Sequence, residues 1–213
     1  MRYHFVNHHS LILNLKFSDT IVDTNTKVYC DGNFLRLILK FLSIDLSYMP
    51  GPNFLEILLK KLSVKDLDDV LIIFANTHQY KIAKSKLKFN YDVLICDTIF
   101  TENDNNLEDF ISKIKPKREI IICVGSPWQD MMAHRLSTYK RFDESNFYCI
   151  GAAMNFHLGI LKRNKYLAKY KLEWLNRLIN EPVKTMPRIF ITPIELLWLA
   201  ISNPKKIHYF FRI

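Results

Sequence analysis

Glycine is scarce in this sequence, with five residues in 213. That scarcity excludes collagen-like and glycine-rich linker architectures and makes each glycine a marker of a backbone position that needs one. Nucleotide motifs are lacking too. No GxGxxG, GxxxxGK[ST] or GxSxG run occurs, so a dinucleotide fingerprint, a P-loop and a hydrolase nucleophile elbow have no candidate. The four cysteines, Cys30, Cys96, Cys123 and Cys149, lie singly at or beside apolar runs, without CxxC spacing or a histidine grouping that suggests zinc. They read as buried free thiols of a reducing compartment. His8 and His9 look like a metal pair, but neighbours on a strand point to opposite faces and cannot share one ion. Asp66 and Asp68 form a DxD that precedes an apolar run, where a metal-bound sugar nucleotide would need it afterwards, and they read as solvating a helix end.

Long apolar runs are missing as well. The start, MRYHFVNHHSLILNL, lacks the features of a secretory signal, and the other apolar stretches are shorter or more interrupted than the roughly 20 residues a spanning helix takes. The expectation is a chain that stays on the side of the membrane where it is made.

What is present is a chain 49% hydrophobic and 24% charged, enough for one substantial core with an appendage. Its formal net charge of +9 is unevenly spread. From Ile160 to Ile213 eleven Lys and Arg stand against three Glu, so this segment holds +8 and the first 159 residues only +1. Such a concentration predicts a basic C-terminal surface for phosphate, anionic lipid or nucleic acid.

From Val70 onward, VLIIFAN, DVLIC, EIIICVG and FYCIGAA are short, β-rich apolar runs. The helical candidates are FLRLILKFL, NFLEILLKKL, HQYKIAKSKL, LEDFISKI and DMMAHRLSTY. Apolar on both faces, such strands predict an α/β fold with a mostly parallel sheet covered by helices, and a ligand site at the carboxyl ends of the strands. KYKLEWLNRLINEP, Lys169 to Pro182, predicts a helix with Leu172, Leu175, Leu178 and Ile179 on its apolar stripe, Glu173 paired with Arg177, and Pro182 at its end. Pro182 and Pro187 mark an expected hinge before IFITPIELLWLAISNPKKIHYFFRI. Periodicity allows that last segment to complete the core or to lie in a membrane interface with Trp198, Tyr209, Phe210 and Phe211 partly immersed. The charge concentration favours the interface.

Three strand exits stand out: YCDGN at 29 to 33, CVGSPWQD at 123 to 130 and CIGAAMNFHLG at 149 to 159 hold four of the five glycines. Each places small or polar residues where a ligand can approach the backbone and a helix N-terminus, and together they suggest one shared site.

Asn7 to Ser10, Asp31-Gly32, Pro50-Gly51, Gly125 to Asp130, Gly151 to Gly159 and LEWL-x-RL-x-x-EP at Leu172 to Pro182 lie in an order that resembles the WecG/TagA/CpsF family of bacterial glycosyltransferases. The resemblance implies an inverting, metal-independent transfer from a UDP-sugar to a polyprenyl-diphosphate-linked sugar acceptor in cell-surface polysaccharide assembly. The sugar is then an N-acetylhexosamine such as N-acetylmannosamine, or a hexose. It further implies no cofactor, a place at the cytoplasmic membrane face on an anionic surface, a Rossmann-like core over residues 1–182, and an appendage over 183–213 that meets the membrane and completes the site.

By the same resemblance, Asp31 is the general base that takes the acceptor hydroxyl's proton, Arg177, Lys184 and Arg188 supply charge for the leaving diphosphate, and Gln129 orients sugar or phosphate. Asn7, Gly125 and Asn155 line the substrate site. The chain departs from the family pattern at Phe5 for a threonine, Tyr48 for an arginine and Asn155 for an aspartate. It also starts later than the family's usual members, so the family's first strand and helix are expected to be missing. A catalytically silent relative that binds sugar nucleotide or membrane is the second reading. Nucleic-acid binding fits less well, because the basic residues lie in one terminal segment rich in aliphatic bulk.

Overall fold

The computed structural model of the chain describes residues 1–17, 23–64, 69–96, 112, 114–162, 164, 166–167 and 173–211. Asp66 and Asp68, Lys169 to Leu172, and nearly all of the expected helix LEDFISKI lie outside the described residues.

Six strands form one sheet: β1 Arg2–Val6, β2 Thr26–Cys30, β3 Val70–Phe74, β4 Asp92–Ile95, β5 Glu119–Ile122 and β6 Asn146–Cys149. Their order is β2-β1-β6-β5-β3-β4, and every pairing is parallel. This is the α/β sheet that the apolar runs predict. β3 and β5 are buried throughout because both faces are covered. Alternation along β3 sends Ile72 and Phe74 into a cluster with Leu55, Leu58 and Met154, and Leu71 and Ile73 into one with Met132, Ala133 and Phe147. The connection from β3 leads outward to β4 while that from β5 leads the opposite way to β6. The loops after β3 and β5 therefore part at the carboxyl edge, as a ligand crevice in such a sheet requires.

The helices are α1 His8–Phe17, α2 Asn33–Phe41, α3 Gly51–Val64, α4 Thr77–Lys86, α5 Trp128–Ser137, α6 Ala153–His157, α7 Glu173–Asn180, α8 Pro182–Ser202 and α9 Pro204–Phe211. In α2 the buried residues Leu35, Ile38 and Leu39 recur at helical spacing and the intervening residues face out. His8 and His9 belong to α1, not to a strand. Asn7 caps that helix: its Oδ1 accepts from the Ser10 amide at 3.0 Å, and its own amide donates to Ser10 Oγ at 2.8 Å.

The expected hinge is also displaced. Pro182 opens α8 at a position where its missing N–H costs no hydrogen bond, and Pro187 and Pro193 lie inside that helix. The turn before Pro193 is braced at the Arg188 carbonyl, which accepts from His8 Nε2 of α1 at 2.7 Å and from Thr192 Oγ1 of the same helix at 2.6 Å. With the prolines absorbed, Thr185–Ser202 is one helix long and apolar enough to cross a membrane by length and composition, with a mean hydropathy of 1.2, where the sequence suggested interruption.

One face of this terminal segment completes the core: Leu196, Ala200, Ile207, Phe210 and Phe211 are buried with Val6, Leu11, Leu35 and Leu39. Phe210 and Phe211, expected at a membrane interface, point inward because they share the Ile207 face of α9. Trp198 and Tyr209 stay outside at 69% and 65% exposure. In α7, Leu175 and Leu178 are half-buried, whereas Ile179 is exposed rather than on the apolar stripe.

Candidate functional site at the carboxyl edge of the sheet

Asp31 follows β2 directly, and its amide donates to the Val6 carbonyl at 2.8 Å, which fixes it beside the end of β1. A side chain at Gly51, the first residue of α3, would sit 3.5 Å from Asp31 Oδ2, 3.6 Å from Ala153 Cβ and 3.8 Å from Phe5 Cβ. Three strand exits therefore meet around that glycine. Gly32 has φ 134°, a backbone conformation that side chains avoid, and its open side faces Asn7. The loop before α3 is drawn in by Cys30, whose amide donates to Ser47 O at 2.9 Å and whose carbonyl accepts from the Met49 amide at 3.1 Å. Tyr48 in that loop lies under the Arg36 guanidinium, 5.5 Å from the ring centre. Burial, with the neighbouring Asp31 charge, pushes the Cys30 thiol up to about 12, so it remains protonated.

On the other side of the rim, Gly125 is exposed and has no atom within 4 Å of where a side chain would begin. Its carbonyl accepts from the Gln129 amide at 3.3 Å. Gln129 is buried in the first turn of α5, and Gly151, at φ 50°, leaves room for its side-chain amide. Asn155 on α6 accepts through Oδ1 from Gln79 Nε2 at 2.8 Å, and Gln79 Oε1 accepts from the Ala75 amide at 3.0 Å. The exits of β3 and β6 are thereby tied.

Among the residues expected at the site, Asn7, Asp31, Gly125, Gln129 and Asn155 all lie at the carboxyl ends of β1, β2, β5 and β6 or in the helices that follow. Asn7 is committed to capping α1 through its side chain. Arg188 reaches the rim through its carbonyl bond to His8, next to Asn7. Arg177 and Lys184 lie on α7 and in the first turn of α8, and their side chains are outside the described residues.

Gln79 and His4, which the sequence did not single out, join Ser126 and Asp130 of the 123–130 stretch in the polar bonds beneath and along the rim. Asp130 accepts from His4 Nδ1 at 2.7 Å, from Ser126 Oγ at 2.9 Å and from Asn14 Nδ2 at 3.3 Å. His4 sits mid-strand within an otherwise apolar run, and only a buried carboxylate across the sheet explains it. His4, Asp130 and Cys149 are the grouping among the described residues whose metal-ligating atoms approach one another, within 4.8 Å. Because Nδ1 of His4 is committed to Asp130, only His4 Nε2 and Cys149 Sγ, 3.9 Å apart, face a common point. That is fewer than the three or four protein ligands that zinc takes. Burial also holds the Cys149 thiol well above its ordinary range.

An all-parallel α/β sheet that gathers glycines, a carboxylate and side-chain amides at its carboxyl edge has the architecture of a protein that binds its ligand on the strand exits. The particular class follows from comparison with known families: the glycosyl transferase WecG/TagA/CpsF family model matches residues 2–208, and this chain belongs to that family and is a glycosyltransferase. No curated protein and no solved structure matches the chain.

Proposed function

We propose that this glycosyltransferase transfers a sugar, an N-acetylhexosamine or a hexose, from a UDP-sugar to a polyprenyl-diphosphate-linked acceptor, with inversion, at the cytoplasmic face of the membrane. The observation that carries the reading is the convergence around Gly51, where Asp31, Phe5 and Ala153 bring three strand exits together at the carboxyl edge of the sheet. In this reading Asp31 takes the proton from the acceptor hydroxyl as that oxygen attacks the anomeric carbon, and the donor's diphosphate leaves from the opposite side. Arg177, Lys184 and Arg188 neutralise the charge gathering on the diphosphate, so that the step needs no metal ion. Asn7, Gly125, Gln129 and Asn155 line the donor pocket.

Residues 183–213 act in this proposal as an appendage that both closes the site and meets an anionic membrane. The bond from His8 to Arg188 supports the first role. The exposure of Phe190, Ile194, Trp198 and Ile201 on α8 supports the second, since only 22% of the apolar window is buried. A silent, sugar-nucleotide-binding role is the second reading, favoured by Asn155, an amide engaged with Gln79 at the place of the family's aspartate.

The test is calorimetric binding of UDP and UDP-sugars, with and without EDTA, to wild type and to the Lys184→Ala/Arg188→Ala double variant. Saturable binding that survives EDTA and weakens in the variant is expected. Binding that requires a divalent ion, or is unchanged in the variant, rejects this account of the diphosphate.

A further inference from the structure

Gln129 is 4% exposed, and its Oε1 has no hydrogen-bond partner among the described residues. An acceptor left unpaired in so buried a position bears the desolvation of its oxygen without a bond to offset it, so its survival calls for a ligand. The surroundings fix which end of the amide is free. Asp130, as a carboxylate, can only accept, so the Ser126 hydroxyl must spend its single proton on Oδ2, 2.9 Å away. Ser126 Oγ is then an acceptor toward Gln129, and the group 3.1 Å from it has to be the amide NH2. Oε1 is thereby turned toward Gly151, where even a methyl group would stand 3.2 Å from it, while the Gly125 carbonyl holds the Gln129 backbone. His4 Nδ1 and Asn14 Nδ2 occupy the remaining acceptor sites of Asp130 and hold its orientation.

We infer that Gln129 presents an obligate acceptor to a hydrogen-bond donor on the transferred sugar, a hydroxyl or an acetamido N–H, and that Asp130 is the positioning residue which sets that polarity through Ser126. The inference rests on the donor reading above and assigns Gln129 to the sugar, not to the phosphates. Phosphate oxygens are acceptors and have nothing to offer a second acceptor. The polar relay begins in the sheet interior at His4 and ends at the rim, so a change at Asp130 alters substrate preference without touching substrate. An Asn at position 130 can donate to Ser126 instead, which releases the hydroxyl proton toward Gln129 and lets the amide turn over.

The experiment measures dissociation constants of UDP, UDP-glucose, UDP-N-acetylglucosamine and UDP-N-acetylmannosamine, with deoxyfluoro analogues of whichever sugars bind, for wild type and Asp130→Asn. Fluorine keeps the shape of a hydroxyl but cannot donate. The expected result is that Asp130→Asn weakens the bound UDP-sugars about tenfold or more while UDP stays within about twofold. One fluoro substitution should cost affinity in wild type and little in the variant. Equal weakening of UDP and UDP-sugar, or no change in either, overturns the inference and leaves the donor reading standing. Failure of wild type to bind any UDP-sugar overturns both. If Asp130→Asn does not fold by circular dichroism, Ser126→Ala removes the same relay and is judged by the same criteria.

Discussion

His8 Nε2 lies 2.7 Å from the backbone carbonyl oxygen of Arg188. A carbonyl only accepts, so the ring donates from Nε2, and one side chain on the first turn of α1 holds α8 against the strand exits. The same carbonyl takes a second bond from Thr192, the residue before Pro193. His8→Ala should lower unfolding free energy by about 1 kcal/mol. In urea denaturation the midpoint should shift with little change in slope. An unchanged midpoint would mean that the contact is incidental to the placement of α8.

Asp31 sits on a strand exit with no side chain at Gly51 to crowd its carboxylate. Asp31→Asn keeps the shape and removes the basicity, so turnover should fall about 10²–10⁴-fold while UDP-sugar binding persists. Initial rates with a polyprenyl-diphosphate-sugar acceptor, set beside calorimetric binding of the donor, check this. Equal rates in variant and wild type would remove Asp31 as the base.

The fold was legible in the sequence because buried parallel strands write themselves as unbroken apolar runs: VLIIF and EIII became β3 and β5. The helical status of His8 and His9 was not, since the signal lay in the reciprocal bonds of Asn7 and Ser10 rather than in the histidines. Pro187 was read as a hinge because proline usually breaks a helix, yet it lies inside α8, which continues through it to Ser202. For the site, glycine scarcity pointed to strand exits that the structure places along the carboxyl edge of the sheet. The partners of Asp130 could not be read in the same way, because His4 and Asn14 meet it across 126 and 116 residues of chain.

Asp23 makes an ion pair with the buried Arg2. Burial alone would raise its carboxyl, but hydrogen bonds from Thr26 and Arg2 and the Arg2 charge outweigh that and hold it below its ordinary value. A depressed carboxylate contributes stability that is present above its unfolded value of about 3.9 and is lost as pH falls through the folded one. Asp23→Asn should therefore lower Tm at pH 7, and the gap to wild type should shrink as pH drops below about 4. Thermal melts from pH 7 to pH 3 test this. A gap that stays constant with pH would show that the charge contributes nothing.

Neighbouring residues on α8 separate core packing from surface affinity. Leu196 is fully buried, and Leu196→Ala should destabilise the fold by about 2–5 kcal/mol. Ile194 and Trp198, 67% and 69% exposed on the outward face, make no comparable contribution to the core. Ile194→Glu/Trp198→Glu should leave Tm within about 2 °C of wild type, yet sharply reduce co-sedimentation with anionic phospholipid vesicles, since it removes apolar surface and adds like charge. If the double variant binds vesicles as wild type does, the outward face of α8 is not the membrane contact. The basic residues of the terminal segment would then have to act on phosphates elsewhere.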